Sequence, residues 1–165
     1  MNDEEQLREW IAEYGSMLLR VCYLYLHDTA LAEDAVQETF IKLWKNQKTF
    51  QHKSSVKTWL TTIAINTCCD MLRSTWFRHI DRRVTPDDLP QGSTGDENDD
   101  RITAELMNLP ANIRDVMIRY YYVGMSTEEI ASALGTSRSA VIMRLKRGRD
   151  KLKSQLSKME DRADE

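Results

Sequence analysis

Residues 126–152 read STEEIASALGTSRSAVIMRLKRGRDKL, and two helices with a tight turn between them account for almost every position. Ser126 and Glu129 have the spacing of a capping box, in which the hydroxyl accepts the Glu129 amide and the carboxylate reaches back. Ile130, Ala131 and Leu134 form the apolar side of a short helix. Gly135-Thr136 supplies the turn. Ser137 caps a second helix, and Val141, Leu145 and Leu152 give that helix an inward side. Its other faces are basic: between positions 138 and 153, Arg138, Arg144, Lys146, Arg147, Arg149, Lys151 and Lys153 stand against the single acid Asp150. This is the pattern of a helix-turn-helix, whose second helix enters the major groove while its cations neutralise phosphates. Arg138, Ser139, Ile142, Met143, Lys146 and Arg147 lie near the start of that helix, where base edges are in reach. Arg149, Lys151 and Lys153 lie further along, where phosphates are.

Working back towards the N-terminus, Ile102, Leu106 and Leu109 open the same small domain. Pro110 suits the first turn of a helix. Ile113, Val116, Met117, Tyr120 and Tyr121 predict the buried side of that helix, and Gly124 its C-terminal cap. Between 81 and 100 the chain changes character. Seven acids, Asp81, Asp87, Asp88, Asp96, Glu97, Asp99 and Asp100, face only Arg82 and Arg83, among Pro86, Pro90, Gly92 and Gly95. With almost nothing apolar to bury, the segment reads as a flexible acidic linker. Residues 158–165 read as a disordered tail.

Upstream, three further helices are predicted. Leu7, Trp10, Ile11, Tyr14, Leu18, Val21, Cys22 and Tyr25 make one apolar stripe. His27-Asp28-Thr29 breaks it, with Asp28 or Thr29 as the next cap. From about Leu31 to Asn46, Val36, Phe40, Leu43 and Trp44 form an inward stripe, and Asp34, Gln37, Glu38, Ile41 and Lys45 the opposite face. Residues 51–55 read as a polar loop. From Ser55 to Arg73, Val56, Trp59, Leu60, Ile63, Ala64, Thr67 and Met71 face inward. Trp10, Trp44 and Trp59 are read as core aromatics. The predicted architecture is therefore all-α: a helical domain over 1–80, a linker over 81–100 and a helix-turn-helix domain over 101–157.

The whole chain has 165 residues, a net charge of −3, six glycines and three prolines, sparse punctuation that favours helices. No apolar run reaches the roughly 20 residues that span a bilayer, and the acidic start is not a signal peptide. Cys22, Cys68 and Cys69 make an odd set with neither a disulfide framework nor zinc spacing. Reduced thiols in a cytoplasmic protein are expected, with Cys68-Cys69 most simply part of the core. His27, His52 and His79 are scattered and form no catalytic constellation. No enzyme, metal, cofactor or small-molecule substrate is implied.

The segment Asp34-Ala35-Val36-Gln37-Glu38-Thr39-Phe40-Ile41-Lys42-Leu43-Trp44 resembles the helix by which sigma factors grip bacterial RNA polymerase. Residues 55–66, followed by Asp70 and Arg73, resemble the promoter-melting helix of the extracytoplasmic-function (ECF) group of the sigma-70 family. Leu109-Pro110, Tyr120, Gly124, Ser126, Glu129-Ile130-Ala131 and Arg147-Gly148-Arg149 resemble that group's second conserved region. The resemblance implies a promoter-recognition subunit with sigma regions 2 and 4, whose partners are core polymerase, through the beta-prime coiled coil and the beta flap, and promoter DNA. It implies polymerase binding by Asp34, Gln37, Glu38 and Ile41. It implies −10 contacts from Lys53, Ser54, Ser55, Asn66 and Arg73, with the loop near 51–55 holding a flipped base. The −35 element falls to the start of the last helix. Control by an anti-sigma factor, often membrane-anchored, in a response to envelope or environmental stress goes with the family.

Departures from the family pattern are informative. Ile142 and Met143 stand where relatives often carry a basic residue and a serine. Apolar side chains touch thymine methyls but cannot donate to guanine, so the usual −35 sequence does not transfer. Ser137 stands for a common proline, and Arg138-Ser139 for an apolar-glycine pair. Trp76-Phe77, among Arg73, Arg78 and His79, reads as packing at a helix end, with stacking on single-stranded DNA as the other reading. The competing functions are a stand-alone helix-turn-helix regulator, which the segment 34–44 argues against, and a polymerase-binding adaptor without promoter contacts, which the basic helix argues against.

Overall fold

A computed structural model describes residues 2–49, 55–73 and 97–163. Residues 2–73 fall in one compact unit and residues 97–163 in another. Every regular element among the described residues is helical, so the chain is all-α. The loop residues 51–54, including Lys53 and Ser54, the Trp76-Phe77 pair and linker positions 81–96 lie outside the described residues.

The first unit holds three helices, α1 (Asp3–Leu26), α2 (Thr29–Asn46) and α3 (Val56–Leu72), with a 3-10 turn at Gln47–Thr49. Each packs on the other two. α1 starts earlier than the apolar stripe indicated, because Asn2 and Glu5 form a reciprocal capping box: the Glu5 amide donates to Asn2 Oδ1 at 2.8 Å and the Asn2 amide to Glu5 Oε2 at 3.2 Å. α1 ends at His27, in the left-handed region at φ 58°. Of the two caps weighed for α2, Asp28 is used, its carboxylate accepting the Leu31 amide at 3.0 Å. The last six residues of α1, Val21 to Leu26, are buried on every side, as a helix that is apolar all round must be.

α2 buries Ala32, Ala35, Thr39 and Leu43, a line rotated from the predicted one. Val36 and Phe40 are half-buried, and Trp44 is 49% exposed. Trp44 is therefore not a core residue. The small Ala32 and Ala35 side chains turn inward and let α2 approach its neighbours closely, which carries the bulky residues towards the flank and surface. Trp10 and Trp59 are half-buried and pack edge to face with centroids 6.0 Å apart. In α3, Ser55 caps the first turn. Thr61, Thr62 and Thr67 return their hydroxyls to the carbonyls of Lys57, Thr58 and Ile63 at 2.6–2.8 Å. These bonds satisfy hydroxyls that Thr61 and Thr67 take into the interior.

The second unit comprises α4 (Glu97–Met107), α5 (Ala111–Ile118), a π-helical turn at Arg119–Val123, α6 (Thr127–Leu134) and α7 (Arg138–Ala163). α4 begins inside the stretch read as linker, and α7 runs through most of the stretch read as tail. Half-buried Leu152 and Leu156 extend the inward line of α7 past Leu145. Pro110 stands one residue before α5, as its N-cap. The π turn explains a second correction. It packs more residues into a turn than the 3.6-residue repeat allows, so Tyr120 and Tyr121, predicted to face inward, are 37% and 52% exposed. Ile11 and Ile102, also on predicted apolar stripes, are exposed. The turn closes on Gly124, at φ 81°. Arg119 is buried within it and pairs with Asp115 at 2.9 Å.

α4, α5 and α6 all pack against α7. Gly148 is the point of closest approach: a Cβ there would lie 2.7 Å from Met117 Sδ and 3.1 Å from Ile113 Cγ2. Gly148→Val should destabilise this unit by about 1–3 kcal/mol through overpacking. Urea denaturation of the full chain, followed by a probe in α5 or α7, checks it; an unchanged midpoint would contradict the contact.

Candidate promoter and polymerase interfaces

The expected polymerase-binding set lies on one strip of α2. Asp34, Gln37, Glu38 and Ile41 are all exposed, at the i, i+3, i+4, i+7 spacing that aligns side chains on a helix. Trp44 continues the strip. Ile41 is 48% and Trp44 49% exposed, so two large apolar side chains sit in a charged face. Sequence reasoning missed Trp44 because an apolar stripe one residue off register absorbed it. Beneath the strip, Lys42 Nζ donates to Thr67 Oγ1 at 3.0 Å and ties α2 to α3.

The expected −10 residues are only partly brought together. Asn66 and Arg73 are exposed on the same side of α3, one heptad apart, and Arg73 pairs with Asp70 at 3.0 Å on that side. Ser55 stands at the other end of α3, about 16 Å from Asn66 and about 27 Å from Arg73 along the axis at roughly 1.5 Å per residue. Its hydroxyl accepts the Thr58 amide at 3.1 Å and lies 2.9 Å from Thr58 Oγ1. Its visible role is helix capping.

The helix-turn-helix is assembled from α6 and α7. Ser126 Oγ accepts the Glu129 amide at 3.1 Å, half of the expected capping box. Gly135 turns the chain at φ 65°, and Ser137 Oγ accepts the Ala140 amide at 3.1 Å. Val141 and Leu145 are buried, as predicted. Ser139, Ile142, Met143, Lys146 and Arg147 are exposed together over the first turns of α7. Asp150 follows on the same side, so the exposed stretch ends in an acid. The two flanking arginines are engaged elsewhere. Arg138 Nε donates to Thr127 Oγ1 at 3.0 Å and pairs with Glu128 at 3.1 Å, bracing α7 against α6. Arg149 donates to the Tyr121 hydroxyl at 3.1 Å, and this bond, together with the tyrosine's field, raises its pKa further. Beside it an apolar cavity of about 610 Å³ is lined by Ile102, Leu106, Met117, Tyr122, Leu152 and Leu156, with Arg149 and Lys153 at its edge.

Comparison with known proteins agrees with both halves. Sigma-70 region 2 matches residues 10–78, and Sigma-70 region 4 matches residues 99–152. The ECF RNA polymerase sigma factor SigL of Mycobacterium tuberculosis is 34% identical over 145 residues, covering 84% of this chain and 82% of SigL. The chain belongs to the ECF sigma factors. RNA polymerase sigma factor YlaC of Bacillus subtilis is 28% identical over 166 residues, 96% of each chain. Among solved structures, the fold is similar to the sigma factor RpoE of Bartonella quintana, solved with the anti-sigma factor NepR, at TM-score 0.70 and 24% identity over 91% of this chain and 98% of that one. It is also similar to CnrH, solved with the cytosolic domain of CnrY, at TM-score 0.65 and 24% identity over 94% and 90%. A sigma factor of this group acts with core RNA polymerase and promoter DNA to initiate transcription. Among the described residues no helix is long and apolar enough to cross a membrane.

The cysteines sit apart from these surfaces. Cys22 and Cys68 are buried and Cys69 is partly so. A hydrogen bond with Cys22 and burial, helped by the charge field of Cys22 and Cys69, push the Cys68 thiol far above the ordinary range. It stays protonated and is a poor nucleophile. In the native sigma factor, alkylation at pH 8 should mark Cys69 first and Cys68 only on unfolding, as read by mass spectrometry. The folded state holds the Cys68 proton more tightly than the unfolded chain does. Its contribution to stability is therefore complete below the unfolded thiol value near ~8.5 and declines as pH rises past it.

Proposed function

We propose that this ECF sigma factor grips core polymerase with the exposed strip of α2, opens the −10 element along α3 and reads the −35 element with the first turns of α7. The observation that carries the reading is the pair Ile41 and Trp44, exposed in line with Asp34, Gln37 and Glu38. A charged strip alone is an ordinary solvated face. A half-exposed tryptophan beside an isoleucine in that strip is the kind of anchor on which interface energy concentrates. Asp34, Gln37 and Glu38 supply polar contacts around it. On α3, Asn66 and Arg73 face the unpaired strand. On α7, Ser139, Ile142, Met143, Lys146 and Arg147 face the groove, while Arg138 and Arg149 brace the domain.

The protein acts in the cytoplasm, is not an enzyme and is controlled by an anti-sigma factor. RpoE and CnrH, which share its fold, supply the precedent, being solved as complexes with NepR and CnrY. A signal that releases the inhibitor is the natural trigger of such a factor.

Run-off transcription on fragmented genomic DNA of the source organism, with core polymerase and with or without the protein, tests the reading. Discrete new transcripts sharing an upstream sequence pair are expected. They should vanish with Asp34→Ala and Gln37→Ala together. Trp44→Ala alone should weaken core binding at least about tenfold, the effect of losing an anchor worth 1.4 kcal/mol or more, with the folded content unchanged by circular dichroism. Polymerase that starts nowhere new, while the protein alone shifts specific duplex DNA, would make it a stand-alone regulator instead.

A further inference from the structure

We propose that Ile142 and Met143 are the specificity-determining residues of α7 and that they read the C5-methyl groups of thymine in the −35 element. The inference rests on the proposed docking of α7 in the major groove and says what it recognises there.

Ile142 is 41% and Met143 49% exposed, on a helix whose inward residues Val141 and Leu145 are 0% and 3% exposed. The core of the unit is complete without them. Their neighbours on the exposed side are Ser139, Lys146 and Arg147, so two large apolar side chains stand in a basic surface that would be more soluble without them. Their place is the first two turns of α7, the part of a recognition helix that comes closest to base edges. A groove lined with donors and acceptors offers an apolar side chain one partner, the thymine methyl. Guanine reading by a bidentate arginine is correspondingly reduced. Arg138 is held by Thr127 and Glu128, and Arg149 by Tyr121. Lys146 and Arg147 are exposed beside the apolar pair, and they are the exposed cations left in this stretch for phosphate or guanine contacts. The preferred −35 element should thus carry thymines, on either strand, under Ile142 and Met143.

Deoxyuridine in place of thymidine removes the methyl and leaves base pairing intact. A promoter recovered by run-off transcription would be rebuilt with single thymine-to-uracil changes through the −35 element. Binding by the full sigma factor with core polymerase is then measured. One or two of these changes should weaken binding about three- to tenfold each, the weight of a buried methyl. The Ile142→Ser, Met143→Ser double variant should lose that sensitivity and keep its salt dependence, since its phosphate contacts remain. Ile142→Leu should retain the sensitivity. Uracil changes of under 1.5-fold at every −35 thymine, with binding still promoter-specific, would overturn the inference and leave the proposed function standing. A double variant that loses affinity for core polymerase without DNA would overturn it too, by making the pair a protein contact. Failure of the native protein to bind the all-thymine promoter with polymerase would overturn both.

Discussion

Gly148 lies directly against Met117 and Ile113, and the orientation of α7 depends on that contact. α7 must turn the side without a Cβ towards α5. Leu145 and Val141, one and two turns earlier on the same side, then enter the core. With three inward positions set, the outward ones follow from 3.6 residues per turn: Ser139, Ile142, Met143 and Lys146 have nowhere to go but the surface. A single helix therefore completes the core and presents the exposed face of Ser139, Ile142, Met143 and Lys146. A change in one reads out in the other.

The same logic governs α2, with alanines in place of the glycine. Ala32 and Ala35 face the other helices of their unit because small residues let backbones approach and Leu43 fill the remaining space. Trp44 is then displaced to the face that carries Asp34, Gln37 and Glu38. The exposed tryptophan is thus a consequence of how α2 packs, and its cost in exposed apolar surface is consistent with a partner covering it. The Lys42–Thr67 bond ties α2 to α3, so the exposed strip of α2 and the helix that carries Asn66 and Arg73 belong to one packed unit.

Charge is distributed more economically than the count of cations suggests. Arg138 and Arg149 are part of the basic run along α7, yet each is bonded within the domain. Asp150 closes the outward line after Arg147. The exposed face over the first turns of α7 sets two apolar side chains, Ile142 and Met143, between Ser139 and the cations Lys146 and Arg147. Salt-dependent attraction remains, since the net field of the helix is unchanged by internal bonds.

Much was determined by local rules written in the chain. Asp28, Ser126 and Ser137 cap helices, and Gly124 and Gly135 end them, because short polar side chains and glycine solve problems that arise within one turn. The helix-turn-helix, the all-α class and the exposed positions Asp34, Gln37, Glu38 and Ile41 followed from such rules and from hydrophobic periodicity. What tertiary structure decided was rotation and partnership. Trp44 and Tyr121 moved outward because a helix's phase is chosen by what packs on it, small alanines in one case and a π turn in the other, and periodicity leaves about one residue of freedom. The diversion of Arg138 and Arg149 and the burial of Cys68 beside Cys22 arose from residues 10 to 46 positions apart in the chain, whose meeting no local spacing encodes.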